Sequence, residues 1–148
     1  EAFNVIPPKV EMTGTIRTFE PEVREIVVQR FDEVVKNTAK AMGCSVDVEL
    51  KRISPAVIND AKITENVQKA ANKLYPETEI DTENYLTMGA EDMAFVMEKV
   101  PGCYFFVGST NAENGLDYDH HHPKFDFDEA ALPRAAALMA TAVMEILQ

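Results

Sequence analysis

Residues 10–52 read as strand, helix, strand, and that pattern cannot bury a core unaided. Between 10 and 19 the strand pattern puts Val10, Met12 and Ile16 inward, with Gly14 as a bend. Pro21 suits the first turn of a helix, and Glu20 and Glu22 favour its positive end. Val23, Val27, Phe31, Val34, Thr38 and Met42 then recur at three- and four-residue steps, which predicts one buried face, and Gly43 stops the helix. From Cys44 to Arg52 the alternation is strict: Val46, Val48 and Leu50 against Asp47, Glu49 and Lys51. One helix and two half-exposed strands need further sheet to pair with. The expectation is that this segment completes its sheet with other chain, covalent or not. The first residue is Glu1, and Asn4-Val-Ile-Pro already reads as the interior of a fold, so a piece of a longer protein is expected.

From about residue 55 the rhythm is that of an α/β layer. Asn59 or Asp60 can cap a helix that buries Ile63, Val67, Ala70, Ala71 and Leu74. The turn Met88-Gly-Ala-Glu-Asp opens a second helix, through about Lys99. Tyr104-Phe-Phe-Val, between Gly102 and Gly108, has the continuous apolar character of a strand buried on both faces. A last helix, 129–147, is predicted to bury Leu132, Ala136, Met139, Val143 and Leu147. The fold class expected is therefore α/β.

The formal net charge of −11 argues against nucleic acid or an anionic membrane as partner, since both require a basic face. No apolar run approaches a membrane span and nothing resembles a signal peptide. Two cysteines, Cys44 and Cys103, make no disulfide framework, which points to a reducing, cytoplasmic setting.

All three histidines stand together in Asp117-Tyr-Asp-His-His-His-Pro-Lys-Phe-Asp-Phe-Asp-Glu129. Imidazole is the commonest protein ligand for zinc and similar metals, with carboxylates as usual co-ligands, and no other segment gathers so many donors. The bland alternative is a solvated loop rich in His and Asp. Three adjacent histidines cannot all face one metal, so one or two would ligate. Asp126 and Asp128 are read first as the charged start of the next helix. Gly89 and Ala90 would let a ligand approach backbone amides, although Glu91 and Asp92 suffice as ordinary helix caps. Arg17 offers a fork for a carboxylate, though a lone arginine on a strand is usually a surface charge.

Taken together, Asn-Val-Ile-Pro (4–7), Gly-Thr-Ile-Arg-Thr-Phe (14–19), Met-Gly-Ala-Glu-Asp (88–92), Val-Pro-Gly-Cys-Tyr-Phe-Phe-Val-Gly (100–108) and His-His-His-Pro-Lys-Phe-Asp-Phe-Asp-Glu (120–129) resemble the C-terminal part of M20-family metal-dependent amidohydrolases. The nearest branch holds hippurate hydrolases and auxin-conjugate (IAA-amino acid) hydrolases. The resemblance implies a two-domain zinc-peptidase-like fold. Residues 1–54 would be the second half of a lid that often dimerises, and 55–148 the closing part of the catalytic α/β domain. It implies amide hydrolysis of N-acyl amino acids or dipeptide-like substrates by a metal-activated water, with two divalent metals (zinc, manganese, cobalt or nickel) in the full-length site.

By the same resemblance, His121 ligates a metal, Asn4 and Arg17 hold the substrate carboxylate, and Gly89 and Ala90 line the substrate pocket. Ala90 departs from the usual Gly-Gly. His122 replaces the usual Ser or Asn, which leaves His120 and His122 open as alternative ligands. The general base and most ligands belong to the missing N-terminal half. The chain alone is therefore expected to be inactive. The alternative from a different class is a stand-alone, non-catalytic dimerisation or binding module.

Overall fold

Asp60 starts the helix that carries the core of the larger part of the chain. Its backbone is extended (φ −70°, ψ 129°) and its carboxylate accepts the Ile63 amide at 2.9 Å, as an N-cap requires. The computed structural model, which describes residues 4–147, divides the chain into two compact units, Glu1–Ile53 and Ser54–Gln148.

In the second unit the helix α2 (Ala61–Leu74) packs on α4 (Ala131–Ile146), with the short α3 (Met93–Met97) between them in sequence. Ala70, Leu138 and Ala142 are buried together, with Val67, Ala71, Tyr75 and Phe105 packed around them. Small side chains on both helices permit this close approach. Polar contacts frame it: the Tyr75 hydroxyl donates to the Arg134 carbonyl at 3.2 Å, and Lys73 meets Glu145 at 3.0 Å. The buried face of α2 is the one its periodicity predicts.

For α4 the prediction fails. Leu132 is 56% exposed, and Met139, Val143 and Leu147 are exposed too, while Leu138 and Ala142 point inward. The helix is apolar around most of its circumference, so periodicity does not single out a face. The face chosen is the one whose alanines fit against Ala70 and Ala71.

In the first unit α1 (Pro21–Ala41) has Pro21 at its start and ends where Gly43 takes φ 71°. The Cys44 amide then returns to the Ala39 carbonyl at 2.9 Å. Val23, Phe31, Val34 and Met42, expected inside, are exposed, and no residue of α1 is fully buried. Val27, from the expected face, is half-buried, and Val28, Val35 and Ala39 are half-buried beside it. Val10 and Met12, also expected inside, are exposed, whereas Ile16 and Val48 are half-buried.

The expected strands at 10–19, 44–52 and 104–107 are not formed among the described residues, whose single β-bridge joins Asn111 and Leu116. The α/β class anticipated above is therefore not established by this chain's own pairing. A ladder needs a neighbouring backbone edge. At Tyr104 a side chain takes that place. The Asn59 carboxamide accepts the Tyr104 amide at 2.8 Å and donates to the Tyr104 carbonyl at 3.0 Å. No helix among the described residues is long and apolar enough to cross a membrane.

Candidate functional site

The histidine loop is closed at its base by Asn111. That residue bridges to Leu116 through the backbone, and its side-chain amide donates to Asp128 at 2.7 Å. Asp128 also accepts the Ala130 amide at 2.9 Å, and its own amide donates to the Ser109 carbonyl at 2.9 Å. The Asn111 amide, then the Ala130 amide, hold the Asp128 carboxyl below the usual carboxylate range. Asp128 thus anchors the turn into α4, and Asp126 accepts the Phe127 amide at 2.8 Å. Both aspartates have structural work in this arrangement.

The three histidines differ sharply. The His120 ring lies 4.7 Å from Phe125, tilted by 37°. The His122 ring is stacked on Tyr118, 4.4 Å away and within 8° of parallel, and His122 Nδ1 accepts the Lys124 amide at 3.1 Å. His121 has φ 69°, the only positive φ of a non-glycine residue among those described. A left-handed backbone costs such a residue about 1–2 kcal/mol. Strain of this kind collects where geometry serves a function. The His121 side chain is exposed.

Donor chemistry at this loop suits a divalent metal, but among the described residues no three His, Cys, Asp or Glu side chains are grouped to hold one. One imidazole fits as a single ligand and not as a site.

The turn Met88-Gly-Ala-Glu-Asp lies on the same unit and is also open. Gly89 donates its amide to the Thr87 hydroxyl at 3.2 Å, and α3 beyond it is only five residues long rather than reaching Lys99. Glu91 does less capping than expected. One carboxylate oxygen accepts the Met93 amide at 3.3 Å, while the other takes the Tyr104 hydroxyl at 2.9 Å. That hydroxyl, followed by the Met93 amide, holds the Glu91 carboxyl below the usual range, and the Glu91 carboxylate raises the Tyr104 phenol. Sequence reasoning offers no cue for this pair, because Tyr104 reads simply as part of an apolar strand. Tyr104 in turn touches Phe106 edge-on at 5.3 Å, and Phe106 touches Tyr85 at 5.1 Å.

Two open hollows of the second unit, about 490 and 320 Å3, are lined by other residues, at 58–61 with 97–102 and around Gln68, Asn72 and Thr82. Asn4 and Arg17 belong to the first unit, where both are exposed.

Comparison with known proteins places these observations. Residues 4–145 match the model of peptidase family M20/M25/M40. N-acetyl-L-cysteine deacetylase of Bacillus subtilis (strain 168) is 34% identical over 98% of this chain and 33% of its own length. IAA-amino acid hydrolase ILR1-like 4 of Arabidopsis thaliana is 29% identical over 95% of this chain and 32% of its own length. The crystal structure of Bacillus subtilis YXEP, a dinuclear metal binding peptidase from the M20 family, superposes with a TM-score of 0.76 at 31% identity, covering 99% of this chain and 39% of that one. The chain spans about a third of the length of the curated relatives it matches. The motifs that suggested a family are matched as one continuous region, and the chain belongs to peptidase family M20/M25/M40.

Proposed function

We propose that this chain is the C-terminal part of a metal-dependent amidohydrolase that cleaves the amide bond of N-acyl amino acids or dipeptide-like substrates. Its relatives include a deacetylase of N-acetyl-L-cysteine and a hydrolase of IAA-amino acids, both acting on an acyl group joined to an amino acid. Within that reading the first unit is the second half of the lid and pairs two subunits, and the second unit closes the catalytic domain. The reading also places the enzyme in the cytoplasm, where the free thiols of Cys44 and Cys103 would stay reduced.

The observation that carries the proposal is the left-handed backbone of His121, in a loop whose two other imidazoles lie against aromatic rings. His121 is the ligand this chain would contribute to a two-metal site. When bound, divalent metals supply an acidified water and polarise the acyl oxygen. The chain's other tasks are to orient the substrate. Arg17, with Asn4, would take its carboxylate, and Gly89 and Ala90 would flank its backbone. The remaining ligands and the general base come from other parts of the full-length enzyme, so the chain alone is inactive. The exposed apolar side of α4 (Leu132, Met139, Val143) favours this over a stand-alone module, since it suits packing against further protein.

The test is His121→Ala in the full-length enzyme, with metal content and hydrolysis of N-acetyl amino acids measured together. One metal lost per site and at least a hundredfold lower turnover are expected, a hydrogen-bond partner of a ligand alone being worth about 10–100-fold. Full metal content with normal turnover would sink the assignment.

A further inference from the structure

We infer that Tyr118 is a positioning residue of the histidine loop: it holds His122 aside, so that His121 is the imidazole offered to a metal. The inference rests on the reading of His121 given above. Three adjacent imidazoles would otherwise compete for one coordination position. A loop that let them exchange would hold its metal loosely and in more than one geometry.

The means of selection is visible at His122. Its ring lies flat on Tyr118 at 4.4 Å, and its Nδ1 accepts the Lys124 amide at 3.1 Å. A ring nitrogen that accepts an N–H bond carries no proton, so the neutral ring is protonated at Nε2. Metal ligation needs a nitrogen lone pair. At His122 the Nδ1 pair is already engaged by the amide and Nε2 carries the proton. Neither nitrogen is available unless the ring leaves the tyrosine or reverses its tautomer. The ammonium of Lys124 lies 5.5 Å from the centre of the same Tyr118 ring, so one residue supplies both the amide and a cation to this stack. His120 rests on Phe125 at a tilt and is held less strictly. All three histidines are exposed, and only His121 has its backbone turned into the left-handed region.

Two measurements test this in the full-length protein. The first is the long-range 1H–15N spectrum of histidine-labelled, metal-free enzyme. Wild type and Tyr118→Phe should show His122 as one fixed Nε2–H tautomer. Tyr118→Ala should show it averaging between tautomers, and so should Tyr118→Leu, which keeps apolar bulk without a ring face. A wild type that already averages, or Ala and Leu variants that keep the fixed pattern, overturns the proposal. The second is zinc affinity by chelator competition. Adding Tyr118→Ala to His121→Ala should recover about tenfold of the lost affinity, as the released His122 takes over, by the scale that partners of ligating histidines command. No recovery overturns the withholding role. Zinc affinity unchanged in His121→Ala alone would instead defeat the ligand reading of His121, a failure read on a different variant from the tautomer result.

Discussion

Asn111 and Asp128, seventeen residues apart, meet through a 2.7 Å hydrogen bond that closes the base of the histidine loop. The loop's conformation is therefore set at its two ends as well as by its own rings. Asn111→Ala should free the Asp128 carboxylate, whose folded pKa is depressed chiefly by that amide. A depressed carboxylate contributes stability above its unfolded pKa, and that contribution is lost as pH falls through the lower, folded value. The wild-type loop should therefore loosen only below the ordinary carboxylate range, and the variant should loosen at higher pH. Hydrogen exchange at the Asp128 amide, which donates to Ser109, reports the change. Equal protection in both proteins across acid pH would contradict it.

The backbone at His121 makes a separate prediction. Glycine tolerates φ 69° without the penalty that a side chain incurs, so His121→Gly should be more stable than His121→Ala by about 1 kcal/mol. Both lack the imidazole, so with His121 as the proposed ligand metal binding should fall equally in both. Chemical denaturation of the two variants measures the difference. Equal stabilities would mean that the left-handed turn is not kept when the side chain is changed.

Leu138 is the largest of the three side chains buried together between α2 and α4, 9% exposed beside Ala70 and Ala142. Leu138→Ala should cost about 2–4 kcal/mol, through lost burial and the cavity left between the helices. Leu132→Ala, on the exposed side of the same helix, should cost well under 1 kcal/mol in this chain. Thermal unfolding of the pair decides whether the inward face is the alanine-lined one or the one that helical periodicity favours. A larger loss at Leu132 would restore the periodic face.

Those two leucines show what the sequence makes legible. Alternation and caps located α1, α2 and α4 to within a residue or two, because Pro21, Gly43 and Asp60 act through local backbone chemistry. The buried face of α2 was readable because its other side is polar. On α4 nearly every position is apolar, and on α1 no residue is fully buried and Val23 and Phe31 are exposed, so the face depends on partners that a local pattern does not encode. The expected strands are not formed among the described residues for the same reason, since the alternation at Cys44–Arg52 records a preference and pairing needs a second edge. At the histidine loop the run itself was plain. The sorting of three imidazoles by Tyr118, Phe125 and a positive φ was not, because ring stacking and a left-handed residue leave no mark in composition.

The Glu91–Tyr104 pair gives the last prediction. The Tyr104 hydroxyl is the first cause of the lowered Glu91 pKa, ahead of the Met93 amide. Removing that donor with Tyr104→Phe should raise the Glu91 carboxyl toward its ordinary value while leaving the backbone contacts of residue 104 with Asn59 in place. In wild type the depressed carboxyl favours the folded state above its unfolded pKa, and the benefit disappears as pH falls through the folded value. The Phe variant should therefore lose stability relative to wild type at neutral pH and converge with it in acid. A 13C titration of the Glu91 carboxyl, paired with unfolding at pH 7 and pH 3, follows both effects. Convergence at neutral pH instead, or a Glu91 titration unmoved by the substitution, would show that the hydroxyl does not set this carboxylate, and that the turn at Gly89 and Ala90 is held by its own backbone alone.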